Sequence, residues 1–324
     1  MRRRFANNHK TLDYSKYMTI EVLEDGYTAY FTRDVEYNLN GHKWVRLKAG
    51  LFSPILKKGD LLSLRCSLMP GERFGYFYGN YKAINLRGNI LSLIFKDDIN
   101  LDISSYPYVF YNAFNSRYGN NIVSVEKNFL PATTLAQSCY DHMFYGCTSL
   151  ITAPDLPATT LAQSCYDRMF GGTNVLPDCS NIDFTSNTVV SSGGLSGLFG
   201  GTKVTDNDLY DILPINPVTG KYWLPATTLA SNCYSNMFDD CTSLTTAPEL
   251  PAITLASGCY KYMFYGCSKL NYIKMRATNI SASSCLTGWV VGVSSTGTFV
   301  KHPAMTSLPT GTSGIPEGWT VKKA

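Results

Sequence analysis

Ten cysteines and four histidines are the residues of this 324-residue chain with the most chemical potential, as metal ligands, nucleophiles or disulfide partners. Nine of the ten cysteines fall between 139 and 285, and Cys139/Cys147, Cys233/Cys241 and Cys259/Cys267 each enclose seven residues. Zinc sites need Cys-x-x-Cys or closely paired His, and neither spacing occurs, so no metal is expected. Equivalent cysteines of adjacent repeats would lie about 4.8 Å apart, close enough for disulfides to be an alternative. Free Cys packs as a small hydrophobe, so a buried column of reduced thiols is the simpler expectation. The histidines, at 9, 42, 142 and 302, are scattered. Gly194-Leu-Ser196-Gly-Leu misses Gly-x-Ser-x-Gly, and Gly200-Gly201-Thr202-Lys203 lacks the order of a phosphate loop. His142 could act as a base beside Asp141, but the equivalent places elsewhere hold Arg168, Asn236 and Tyr262, so the repeat demands no chemistry there. Neither an enzyme nor a cofactor is expected.

These residues sit in a repeat. Leu130-Pro-Ala-Thr-Thr-Leu-Ala-Gln-Ser-Cys139 recurs nearly intact from Leu156, Leu224 and Leu250, with an offset of 26 from Leu130 to Leu156 and again from Leu224 to Leu250. Each copy continues as Cys-Tyr-x-x-Met-Phe, and with Phe as marker the series is 114, 144, 170, 199, 238, 264 and Val290. About seven coils are implied, with an insertion near 207–222 expected to loop out. Leu135, Cys139, Met143, Phe144, Cys147 and Leu150 fall on one side of a short helical segment that runs into an extended one. One copy cannot cover that stripe. Stacked copies bury it, at roughly 1.5–3 kcal/mol for each Leu, Met or Phe.

The order Phe-x-x-Cys-x-x-Leu, then Leu-Pro, then Leu-x-x-x-Cys-x-x-x-Met-Phe resembles the BspA-like class of leucine-rich repeats over about 110–290. That class occurs in surface proteins of gut Bacteroidales and in phage or prophage proteins of the same hosts. The chain departs from it in a longer period and in having Cys139, Cys165, Cys233 and Cys259 where an aliphatic residue is usual. The resemblance implies a right-handed solenoid, a role in adhesion or recognition, and no catalytic residues. The expected fold class is therefore a mixed α/β repeat: an N-terminal all-β sandwich-like domain, then a leucine-rich-repeat solenoid with a C-terminal β cap. The expected divisions are a basic arm at 1–17, the β domain at 18–104, the solenoid at 105–290 and the cap at 291–324.

For the β domain, Thr19–Leu23, Tyr27–Phe31, Val35–Leu39, Lys43–Leu47, Leu61–Leu68, Phe74–Tyr78 and Ile90–Phe95 read as strands. Asp25-Gly26 and Asn40-Gly41 signal hairpins. Gly297–Lys301 and Gly318–Lys322 read as the strands of the cap, since an open end of the stack would be an unpaired edge.

Charged residues are 16% of the chain, against about 25% in typical soluble domains, and the net charge is +4. Such a neutral surface does not suit nucleic acid. No apolar run reaches the length of about 20 residues needed to cross a membrane. Arg2-Arg3-Arg4 is followed by a polar stretch, so no export signal is expected. Residues 1–129 carry net +6 and residues 130–285 net −4, so the arm is a candidate for docking other subunits of a larger particle.

The binding candidates are the positions that vary between near-identical copies. They are Asp141, His142 and Tyr145, then Arg168, then Asn236 and Asp239, then Lys261, Tyr262 and Tyr265. Residues that vary do not belong to a repeated core and should face solvent. The expected function is non-catalytic recognition of a host-surface protein or glycan, on a bacterial surface or a virion or prophage particle. The alternative is a structural part of a phage or prophage tail, anchored by the arm and the β domain.

Overall fold

A computed structural model describes residues 12–173 and 192–324; Arg2, Arg3, Arg4 and Cys179 lie outside the described residues. Its regular structure is three β-sheets, with two α-helices of four and seven residues among the described residues. The expected mixed α/β leucine-rich-repeat solenoid is therefore overturned, because neither helix lies in a repeat copy.

In the N-terminal region the strands are β1 (Met18–Val22), β2 (Tyr30–Phe31), β3 (Val35–Leu39), β4 (Trp44–Leu47), β5 (Leu61–Arg65), β6 (Phe77–Tyr78), β7 (Ala83–Arg87) and β8 (Asn121–Val125). They give a six-stranded sheet, β4-β3-β5-β1-β7-β8, and a two-stranded one, β2-β6. The large sheet takes β8 from beyond residue 104 and pairs it parallel to β7, so the expected sandwich does not close at that boundary. Central β1 buries Met18, Ile20 and Val22, and Thr19 meets Ser63 of β5 at 2.8 Å across the sheet.

The two hairpin signals part ways. Asn40 and Gly41 adopt φ of +52° and +76°, the left-handed pair of a tight primed turn, and β3 pairs antiparallel with β4. Asp25-Gly26 makes no hairpin: β1 pairs with β5 and β7, while β2 crosses to β6. Buried Tyr27, Ala29 and Phe31 go instead to the core under Leu56 and Phe77. The expected strand Ile90–Phe95 is also corrected. It holds helix α1 (Ser92–Phe95), fixed because the Ser92 hydroxyl accepts from the Met18 N–H and donates to the Leu64 carbonyl.

The repeat copies are runs of tight turns. In each, every fourth residue is left-handed: Ser138, His142 and Gly146 in one copy, Ser164, Arg168 and Gly172 in the next, Asn232, Asn236 and Asp240 further on. Their φ values run from +47° to +72°, and a left-handed residue every four positions forbids a helix. The N–H groups then alternate. Those of Asp141, Met143, Tyr145 and Cys147 bond three residues back, while those of Tyr140, His142, Phe144 and Gly146 bond Cys165, Asp167, Met169 and Gly171 of the next copy. The expected helical stripe is thus a four-residue turn repeat, and Leu135, Cys139, Met143 and Cys147 keep its spacing and are all buried.

Rings stack between copies. Phe144 lies 5.8 Å from Phe114 and 5.6 Å from Phe170, and Phe238 lies 5.6 Å from Phe199 and 5.7 Å from Phe264. Tyr140, Tyr166, Tyr234 and Tyr260 are buried, which makes the constant Tyr column core. At the last copy, where Val290 replaces Phe, Trp289 fills the space and donates to the Gly314 carbonyl at 2.8 Å.

The nine described cysteines are free. The thiols of Cys147, Cys241 and Cys267 donate to the carbonyls of Phe114, Phe199 and Phe238, one copy back. Burial pushes Cys147, Cys165, Cys241 and Cys259 up to about 12, so they stay protonated and chemically quiet. The insertion does not loop out. It forms α2 (Asp206–Ile212), opened by a reciprocal Thr205/Asp208 cap, and buries Leu209, Ile212, Leu213 and Tyr222. Asp206 ties it down by accepting from the Thr245 and Thr246 N–H groups and the Thr245 hydroxyl. At the C-terminus β10 (Thr298–Lys301) and β11 (Thr320–Lys323) extend β9 (Tyr272–Met275) as a parallel sheet.

Candidate functional site

The turn repeat decides where the variable residues go. His142, Arg168, Asn236 and Tyr262 occupy one left-handed column, in which Gly197 and Gly288 supply two further rungs. A side chain leans on the glycine of the adjoining copy. A Cβ on Gly197 would come within 2.5 Å of Arg168 Cγ, and one on Gly288 within 2.5 Å of the Tyr262 ring. The neighbouring column does the same: Tyr145 covers Gly171, and the Asp239 carboxylate lies against Gly200.

Tyr145, Arg168 and Asp239 thereby come together with Asp240 around a glycine-floored notch of about 130 Å³. Lys261, Tyr262 and Tyr265 form a separate group. The Lys261 ammonium lies 5.3 Å from the Tyr262 ring, and the Tyr262 and Tyr265 rings meet edge-on at 5.9 Å. His142 is bonded through Nδ1 to Asp141 and sits between Tyr111 and Tyr145, at 6.4 and 5.2 Å. Asn236 donates to Ser235 Oγ at 3.0 Å.

Exposure divides these positions. Tyr145, Tyr262 and Tyr265 are 40%, 36% and 43% exposed, whereas Asp141 is buried at 9%, against the expectation that varying residues face solvent. In the column one residue before the left-handed one, Asp141 and Ser235 are buried, whereas Asp167 and Lys261 are half-buried.

Two acids are unusually weak. Burial raises Asp167 to about 6, with Asp141 adding to the effect and His142 and Arg168 opposing it. Burial raises Asp239 to about 6 as well, opposed chiefly by Arg168. The notch is thus a proton-sensitive polar recess beside an exposed aromatic ledge, able to hold a polar ligand with flat apolar faces. Among the described residues, no group of three or more His, Cys, Asp or Glu is placed to hold a metal ion. No helix among them is long and apolar enough to cross a membrane.

Sequence reasoning missed Tyr111, Asp240 and the glycine floor. Sliding the Phe114 copy onto the others, which sets Asn112 beside His142, would have brought Tyr111 to the ledge. Comparison with family models, curated proteins and solved structures finds no match, so the likeness to BspA-like repeats rests on the residues that carry it.

Proposed function

We propose that the chain is a non-catalytic recognition protein whose stacked copies hold a host-surface protein or glycan, at a bacterial surface or on a virion or prophage particle. One observation carries the reading. Within near-identical copies the Cys, Tyr, Met and Phe positions are constant and buried, while beside them the columns 145/171/239/265 and 142/168/236/262 vary, and their Tyr145, Tyr262 and Tyr265 remain exposed. Tyrosine gives large contact area at small entropic cost, which suits a recognition surface. The test is an array of host-surface glycans and proteins probed with the full chain and with a variant carrying Tyr145→Ala, Tyr262→Ala and Tyr265→Ala. Binding by the native chain that the triple variant loses supports recognition; binding by neither, or equally by both, refutes it.

A second reading, a structural part of a tail particle, draws on the N-terminal region. There Leu51, Phe52 and Ile55 are exposed, and Phe52 leads into a run of rings through Tyr30 and Tyr78 to Tyr118, with centroids 5.1–5.4 Å apart. Exposed apolar residues gathered in this way fit a protein interface. Cross-linking from position 52 to other subunits in particles from producing cells supports this reading, and particles that lack the chain refute it.

A further inference from the structure

The insertion builds a second recess, of about 220 Å³, between its own loop and the strand-like segments at 249–251 and 274–276. Its centre is Glu249. Oε1 accepts from the Lys274 ammonium at 2.9 Å, and Oε2 accepts from Asn216 Nδ2 at 2.8 Å and from the Thr219 hydroxyl at 3.1 Å. Three donors satisfy this carboxylate, and Lys274 balances its charge. The buried Asn216 also accepts the Val218 N–H at 2.9 Å, which fixes the loop over the recess.

What remains unsatisfied is Arg276. It is exposed, its backbone N–H bonds the Leu250 carbonyl, and its guanidinium has no ion-pair or side-chain partner among the described residues. With Lys274 and Glu249 cancelling, the recess keeps one net positive charge on a fork suited to a carboxylate. Beside it stands the half-buried indole of Trp223, with Pro217 and Pro251, an apolar wall against which the C–H face of a sugar ring can lie. The volume matches about seven waters, the scale of one pyranose ring and too small for a folded peptide.

From this we infer that the recess binds a carboxylate-bearing sugar residue of an acidic glycan, the carboxylate on Arg276 and the ring on Trp223. The recess contains none of the residues of the proposed recognition face, so each stands or falls alone. The experiment is calorimetric titration of the full chain with a sialylated trisaccharide, a glucuronate-containing disaccharide and neutral lactose. One acidic probe should bind at least about tenfold more tightly than lactose, which also tells a sialic acid from a uronic acid as the source. Arg276→Gln, at an exposed position, should remove that preference. Trp223→Ala should weaken binding of the acidic probe, and Tyr262→Ala with Tyr265→Ala should leave it unchanged. Raising the salt to 1 M should weaken it too. Equal binding of lactose, unchanged affinity in Arg276→Gln, or no binding of either acidic probe at millimolar concentration overturns the inference.

Discussion

Between Glu21 and Asp97 the sheet region carries eight ion pairs, whereas the described stacked copies carry two, His142 with Asp141 and Lys274 with Glu249. In the sheet, one-off contacts set the register: Arg65 bonds both Glu36 and Asp97 and lies 4.1 Å over the Trp44 ring. In the stack the same bond recurs at every copy, from the N–H of one turn to the carbonyl of the next, with rings and thiols in columns beneath. A region built from unique contacts has nothing to spare. A region built from repeated ones can vary whatever its columns do not use, and Tyr145, Arg168, Asp239 and Tyr262 stand at such varying positions.

The largest effect that sharpens this contrast is Phe264→Ala, which removes a ring stacked 5.7 Å from Phe238 in a copy far along the chain from the sheet. It should cost about 3–5 kcal/mol by chemical denaturation. Amide exchange should rise first in the adjoining copies, while β1 and β5 keep their protection. If both regions lose protection together, the nearest-neighbour description of the stack fails.

Next come the weak acids. With a folded value near 6 and an ordinary unfolded value near 4, Asp167 and Asp239 are protonated in both states at low pH and cost nothing there. The penalty grows as pH rises from about 4 to about 6 and is complete above that. Asp167→Asn should therefore raise stability by on the order of 1–2 kcal/mol at pH 8 and change nothing at pH 3.5, read from denaturation curves at the two values. The opposite pH trend would show that the carboxylate is held by attraction.

Backbone strain is smaller. Ser138 holds a φ of +50° with its side chain buried, so Ser138→Gly should stabilise by about 1 kcal/mol, read as a rise in melting temperature. The smallest effect is in the sheet. Glu36→Gln, which loosens the Arg65 and Lys96 pairs, should cost less than about 1 kcal/mol, and 1 M salt should shrink that cost further.

Much of this could be read from residue order. The repeat, its Phe markers, the buried Cys and Tyr columns and the Asn40-Gly41 hairpin all follow from spacing and residue type. The turn ladder did not, because apolar residues four apart satisfy a helix and a four-residue turn equally well. What argues against a helix is the run of glycines at 146, 172, 201, 266 and 292, all left-handed in the structure. Asp25-Gly26 misled because a local turn signal does not choose strand partners; the apolar faces of β5 and β7 on either side of β1 do. Helix α2 was legible in Thr205-x-x-Asp208 but hidden by the two prolines that follow at 214 and 217. Of the site, the exposed tyrosines were legible. The notch was not, because it depends on side chains of one copy lying over glycines of another.

The most direct test measures stability and binding on the same protein, the Tyr145→Ala, Tyr262→Ala, Tyr265→Ala variant. If the outward positions are free of the core, the melting temperature stays within a few degrees of the native chain, since surface substitutions cost about 0.5 kcal/mol or less each, while binding to host-surface material is lost. A large fall in melting temperature, or binding that survives intact, would contradict the division between a constant inner stack and a recognising outer face.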